Sequence, residues 1–203
     1  MGSAVNVSIL LDIDGVVAGF AEHYLDTLHK LTGFRAHTHQ IDRWHFHECE
    51  WFPKEAKRQV EAEIEKPGWC YGIPLLPHAI GLVGSLREIG TVYAVTSPWA
   101  SSKHWMYERT EWLHHRLGIR QRHVVHTMAK SLVAGDVLID DKPENVEDWA
   151  QAHAKGRGIL FTAPHNRLHE LNRGVRASSP GDVIGHVQEI AGLKRDLEME
   201  RFT

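Results

Sequence analysis

The stretch ILLDIDGVVAGF, residues 9–20, drives a run of branched apolar residues straight into Asp12 and Asp14, followed by Gly15. A short run that is apolar on both faces reads as a strand buried in a parallel sheet. The end of such a strand is a poor place for two like charges, because each carboxylate raises the cost of ionising the other. A chain built this way must bring positive charge to the end of that strand.

The pattern downstream says what kind of sheet this is. Residues 5–11 read as the first strand. From about residue 17 the period changes: Phe20, Tyr24, Leu28 and Leu31 recur at helical spacing, and Gly33 can stop the helix. Residues 37–53 show no clear period. Residues 54–66 read as a charged helix with Ala56, Val60 and Ile64 on one stripe, ended by Pro67-Gly68. A helix is expected over 79–89 and a strand over 91–95, running into Thr96-Ser97-Pro98. Met106, Leu113 and Leu117 mark a helix, and 123–126 and 136–139 are strands, the latter ending in Asp140-Asp141. A helix over 146–154, a strand over 158–162 and a last helix carrying Val183, Val187, Ile190, Leu193 and Leu197 complete the reading.

Strands alternating with helices from residue 75 onward argue for an α/β fold with a parallel sheet. Residues 18–74 interrupt that alternation directly after the first strand. The expected organisation is therefore a Rossmann-like core of residues 1–17 and 75–203, with a small, mainly helical cap inserted at 18–74. A chain of 203 residues suits this arrangement.

In an open parallel sheet, ligands bind at the C-terminal ends of the strands. Three such ends carry polar residues here: Asp12/Asp14, Thr96/Ser97 and Asp140/Asp141. Lys130, in the loop before the fourth strand, can reach the same edge. Clustered carboxylates suit a hard divalent cation such as Mg²⁺, which supplies the missing positive charge, and Lys130 adds another. A serine or threonine hydroxyl and backbone N–H groups near Gly15 and residues 98–100 could hold an anion. Taken singly, these features have plain readings: a polar turn after a strand, a helix N-cap at Thr96-Ser97, a solvated lysine. Their order along the chain is what joins them.

DIDGV, TSP, Lys130 and LIDD, in that order, resemble the four motifs of the haloacid dehalogenase-like phosphohydrolases. The longer stretches DIDGVVAGF, VTSPW, HTMAKSLVAGDVLIDDKPENV and ILFTAPHN resemble the 5'(3')-deoxyribonucleotidase branch of that superfamily, and the resemblance covers nearly the whole core. It implies that Asp12 is a nucleophile attacking phosphorus and that Asp14 is the general acid and base. It implies that Mg²⁺ is held by Asp12, Asp14 through its backbone carbonyl, and Asp140, with Asp141 beside them. Thr96 or Ser97 and Lys130 would bind phosphate. Aromatic residues around a nucleobase would come from Phe20 and from Trp44 or Phe46, with Trp69 and Trp99 weaker candidates. Family members are often homodimers.

The chain departs from that branch at three places: Met128 stands where an arginine is usual, Lys142 where another arginine is usual, and Trp99-Ala100 where a small aliphatic residue and a lysine are usual. The phosphate-handling residues match better than the substrate pocket. The expected substrate is a small phosphomonoester, a deoxynucleoside monophosphate first and a sugar phosphate as the alternative. A non-catalytic metal- or ligand-binding homologue would lack the nucleophile or the acid, and neither is missing.

A net charge of −3 gives no general basic character to attract a nucleic-acid polymer. Two cysteines are too few for a disulfide framework. No apolar run is long enough to span a bilayer, and no secretion signal is visible, so a cytoplasmic location is expected. The histidine-rich segment with His37, His39, His45 and His47, near Cys49, matches no zinc-ligand spacing and reads as a solvated loop.

Overall fold

A computed structural model describes residues 6–200. Among these residues, six strands form one fully parallel sheet: β1 (Val7–Leu11), β2 (Gly90–Thr96), β3 (Val124–His126), β4 (Val137–Asp140), β5 (Arg157–Phe161) and β6 (Val175–Ala177). The spatial order is β3-β2-β1-β4-β5-β6. The chain thus grows outward from β1 in one direction and then, from β4, in the other. The strand order reverses at the β1/β4 boundary, where a doubly wound sheet opens a crevice at its C-terminal edge.

Register places the polar strand ends together. Leu11 pairs with Ala94 of β2 and with Ile139 of β4. The Asp12 N–H donates to the Ile139 carbonyl at 2.8 Å, extending the ladder by one residue. Asp12 and Asp140, one step past Leu11 and Ile139, therefore stand side by side.

Six helices accompany the sheet: α1 (Phe20–Thr32), α2 (Lys57–Ile64), α3 (Ala79–Ile89), α4 (Trp105–Leu117), α5 (Pro143–Ala152) and α6 (Pro180–Glu200). Gly33 ends α1 at φ +74, and its N–H donates to the His29 carbonyl. A left-handed residue there satisfies a carbonyl that the helix would otherwise leave free. Between α1 and α2 the chain makes short 3-10 turns at Thr38–Gln40, Phe46–Glu48 and Lys54–Ala56. This is why residues 37–53 show no period, and why the charged helix begins at Lys57 rather than at 54.

The segment carrying α1 and α2 leaves and rejoins the sheet through one narrow stem. Ala18 bridges Leu75, the Gly19 N–H donates to the Pro74 carbonyl, and the Leu76 N–H donates to the Val17 carbonyl. Leu25, Leu28, Ile41, Phe52, Val60 and Ile64 bury their side chains in the same apolar cluster as Ile9, Leu11 and Ile139. The inserted segment is thereby packed onto the sheet's C-terminal edge.

Several expectations are corrected. Met106 is 54% exposed. The buried stripe of α4 is instead Trp105, Arg109, Trp112, Leu113 and Leu117. In α6, Val183, Val187 and Ile190 are buried, whereas Leu193 and Leu197 are exposed, because the helix runs past the sheet it covers. Strand β6 carries no sequence signal: three residues at a sheet edge are too few for a period. Of the expected first strand, Val5 lies outside the described residues. Cys49 and Cys70 are buried free thiols.

Candidate active site

The strand ends open into a cavity of about 700 Å³ between the sheet and the inserted segment. Its floor carries Asp12, Asp14, Ser97, Lys130 and Asp141. Lys130 is shut away from solvent, and its Nζ lies 2.6 Å from Asp12 Oδ1 and 2.7 Å from Asp140 Oδ2. The two carboxylates hold the buried ammonium charged, well above its ordinary range. Lys130 is thus one source of the positive charge that the Asp12/Asp14 pair demands.

That charge does not complete the site. Asp12, Asp140 and Asp141 each offer a carboxylate oxygen within 4.8 Å of the others, and all three residues are buried. Asp141 Oδ1 has no hydrogen-bond partner among the described residues. Burial pushes the Asp12 carboxyl up to about 7 against the pull of Lys130, and burial with the charge of Asp12 raises Asp141 strongly. An all-oxygen donor set, crowded negative charge and an orphaned buried carboxylate oxygen fit a hard divalent cation. Among the described residues this is the one such group, and it includes none of His37, His39, His45, His47 or Cys49.

The surroundings hold these groups in place. Asp140 accepts from the Lys142 N–H at 2.9 Å and from Asn145 Nδ2. The Asp141 carbonyl accepts from Asn166 Nδ2 at 2.6 Å and from His165 Nε2 at 3.0 Å. Gly15 is required by its neighbour as well as by its φ of +79. A Cβ there would sit 1.8 Å from Asp141 Oδ2.

Asp14 stands apart from the carboxylate cluster. Its side chain also borders the cavity, but both its oxygens turn to Arg109, whose Nη2 donates to them at 2.7 and 2.9 Å. Burial raises the Asp14 carboxyl, and Arg109 opposes the rise. Any share of Asp14 in holding a cation therefore falls to its backbone carbonyl, not its side chain. The two hydroxyl candidates also separate. Ser97 lines the cavity, while Thr96 is fully buried, with Oγ1 unpartnered among the described residues, and does not reach it.

The cavity walls are aromatic. Phe20, Trp44, Phe46 and Trp99 all line it, and Trp69 does not. Phe20 and Trp99 face each other with ring planes 28° apart and centroids at 6.4 Å, and Phe46 lies 6.0 Å from Phe20. Trp44 has different neighbours from these rings. Its ring meets His165 edge-on at 5.0 Å and lies 5.0 Å from Lys142 Nζ. Trp69 packs behind Phe20 and donates from its indole N–H to Thr27 Oγ1.

Sequence reasoning missed Arg109, His165, Asn145 and Asn166. The signal for Arg109 was present: a cation at helical spacing between Trp105 and Trp112 lies on a buried stripe, and a buried cation requires an anion. His165 and Asn166 lie within the family-like stretch ILFTAPHN, but nothing in that stretch says which strand end they reach.

The comparisons with known proteins agree with this geometry. Residues 6–188 match the family described as 5' nucleotidase, deoxy (pyrimidine), cytosolic type C protein. The chain is 28% identical over 175 residues to the human cytosolic-type 5'(3')-deoxyribonucleotidase, covering 81% of this chain and 84% of that one. It is 32% identical over 161 residues to a Bordetella bronchiseptica protein named for the same activity, covering 78% and 85%. Its fold is shared with a haloacid dehalogenase-like hydrolase of Streptococcus pneumoniae (TM-score 0.59, 13% identity, covering 89% and 98%). It is shared too with a HAD family hydrolase of Deinococcus radiodurans solved with bound phosphate and sodium (TM-score 0.57, 12% identity, covering 94% and 98%). The chain belongs to the 5'-nucleotidase, deoxy (pyrimidine), cytosolic type C family, phosphoric monoester hydrolases with the haloacid dehalogenase-like fold.

Proposed function

We propose that this protein is a Mg²⁺-dependent phosphomonoesterase that dephosphorylates deoxynucleoside monophosphates through an aspartyl-phosphate. The observation that carries the reading is Asp12, fixed by Lys130 at 2.6 Å on the floor of an aromatic-walled cavity. A carboxylate so placed can serve as a nucleophile, and aromatic walls suit a nucleobase.

Asp12, Asp140, Asp141 and the backbone carbonyl of Asp14 would hold Mg²⁺, which would neutralise phosphate charge and polarise phosphorus when bound. The chain's own groups perform the rest. Asp12 attacks phosphorus as the bond to the ester oxygen breaks, and Asp14 gives its proton to that oxygen. The nucleoside leaves. Asp14 then takes a proton from water, which attacks phosphorus and releases Asp12. Lys130 and Ser97 offset charge on the transferring phosphoryl group. Residues 18–74 act as a cap: with Phe20, Trp44 and Phe46 they close over the base and exclude water. The protein works in the cytoplasm, consistent with buried free cysteines.

The test is phosphate release across 5'- and 3'-deoxynucleotides, ribonucleotides and sugar phosphates, with Mg²⁺ or EDTA, beside D12N. Release that needs Mg²⁺, favours deoxynucleotides and is absent in D12N supports the reading. Release favouring a sugar phosphate would keep the chemistry and overturn the substrate.

A further inference from the structure

Arg109 lies in the middle of α4, and its side chain is completely buried. Its guanidinium carbon is 5.2 Å from the Trp105 ring centroid and 5.3 Å from that of Trp112. A cation enclosed by two indoles is costly unless it is paired. Its pairing is unusually narrow. Nη2 donates to both oxygens of Asp14, while Nε and Nη1 have no hydrogen-bond partner among the described residues. Arginine ordinarily spreads its five donors over several acceptors; here the buried Cys70 thiol also faces the guanidinium, but Asp14 is the one carboxyl that Arg109 bonds among the described residues. That carboxyl also borders the cavity. The helix therefore delivers a rigid cation, braced by two rings, to the back of one cavity side chain.

We infer that Arg109 is the positioning residue for Asp14: it fixes the direction of the carboxyl that passes the proton to the leaving oxygen and later takes one from water. The inference rests on the functional reading above. In the first step the phosphorus–ester bond breaks, the Asp12–phosphorus bond forms, and the proton moves from Asp14 to the departing oxygen. In the second, water attacks phosphorus, its proton goes to Asp14, and the Asp12–phosphorus bond breaks. Asp14 serves both steps with an alkyl ester. With 4-nitrophenyl phosphate only the second step needs it, because 4-nitrophenolate departs unprotonated. A residue that acts through Asp14 must show this asymmetry, whereas one that merely supports the fold must not.

The experiment is rapid-quench and steady-state kinetics of wild type, R109Q and R109K, with a deoxynucleoside monophosphate and with 4-nitrophenyl phosphate. For R109Q, kcat with the nucleotide should fall about 10²-fold, the scale of a general acid's contribution, with KM little changed. Its first turnover of 4-nitrophenyl phosphate should fall by less than about tenfold, so nitrophenolate appears as a burst followed by slow turnover. R109K keeps the charge on a shorter arm. It should recover part of the nucleotide kcat while remaining below wild type, and its first nitrophenolate turnover should match wild type. R109K also carries the test if R109Q does not fold. Equal losses in the first turnover of both substrates, a loss confined to KM, or variants indistinguishable from wild type would overturn the inference while leaving an active wild type intact. A wild type inert toward every ester would overturn the functional reading, and this inference with it.

Discussion

Lys130 Nζ stands 2.6 Å from Asp12 Oδ1, with both side chains closed off from solvent. The same ammonium reaches Asp140 at 2.7 Å, so a single cation joins the ends of two neighbouring strands. K130M leaves two buried carboxylates without it. Removing one partner of a buried pair typically costs about 3–5 kcal/mol, and urea unfolding in EDTA should show a loss of that order. Mg²⁺ should recover part of it. Phosphate release should fall about 10²- to 10³-fold even with saturating Mg²⁺, since the proposed donor to the phosphoryl group is also gone. A K130M protein as stable and active as wild type would remove Lys130 from the account.

The carboxylates make stability depend on pH with a definite sign. Burial raises Asp12 from 3.8 to about 7 and moves Asp14 and Asp141 in the same direction. In this range the folded chain keeps protons that the unfolded chain has lost. The contribution of these groups to stability is therefore full at low pH and falls as pH rises through their folded values. In EDTA, the unfolding midpoint should drop between about pH 5 and about pH 8. Mg²⁺ held as proposed would bind the ionised carboxylates, so its stabilising shift should be larger at about pH 8 than at about pH 5. A shift independent of pH would contradict the assignment of the cation to these groups.

Gly15 has no room for a methyl group. Its φ is +79, and a Cβ would lie 1.8 Å from Asp141 Oδ2. G15A must displace the Asp141 carboxylate from the cluster. The expected result is a weaker Mg²⁺ response in thermal shift and a fall in phosphate release of at least about tenfold, the usual effect of disturbing a metal site's support. Unchanged Mg²⁺ dependence in G15A would argue against Asp141 as a ligand.

The aromatic wall makes a prediction about substrates. Removing one stacking ring costs about 1–3 kcal/mol per base. F20A should therefore raise KM for a deoxynucleotide about 5- to 150-fold, with a smaller effect on kcat. For a small aliphatic phosphomonoester, which has no ring to stack, KM should barely move. Equal losses on both would mean that Phe20 only supports the packing of the wall.

How much of this could be read from residues alone follows from where the information lies. Buried parallel strands and amphipathic helices carry their own periods, so β1, α1 and α3 were legible. The three polar strand ends were legible because parallel strands joined by helices all end on one sheet edge, wherever they lie in the chain. Strand β6 was not, since three edge residues have no period, and Met106 misplaced the face of α4 because an exposed methionine breaks no local rule. Trp44 lines the cavity, but its neighbours there could not be read from the sequence. Its partners Lys142 and His165 lie about a hundred residues away in the chain and meet it only in the fold. The Asp14–Arg109 pair was hidden for the same reason.

In the proposed mechanism Asp12 carries the phosphoryl group. Reaction with a deoxynucleoside monophosphate and Mg²⁺, acid quenching, borohydride reduction and peptide mass spectrometry test it directly, because reduction turns an aspartyl-phosphate into homoserine. Homoserine is expected at position 12, dependent on substrate and Mg²⁺, and absent in D12N. An unmodified Asp12 in an enzyme that turns over, together with a D12N variant that still releases phosphate, would contradict it.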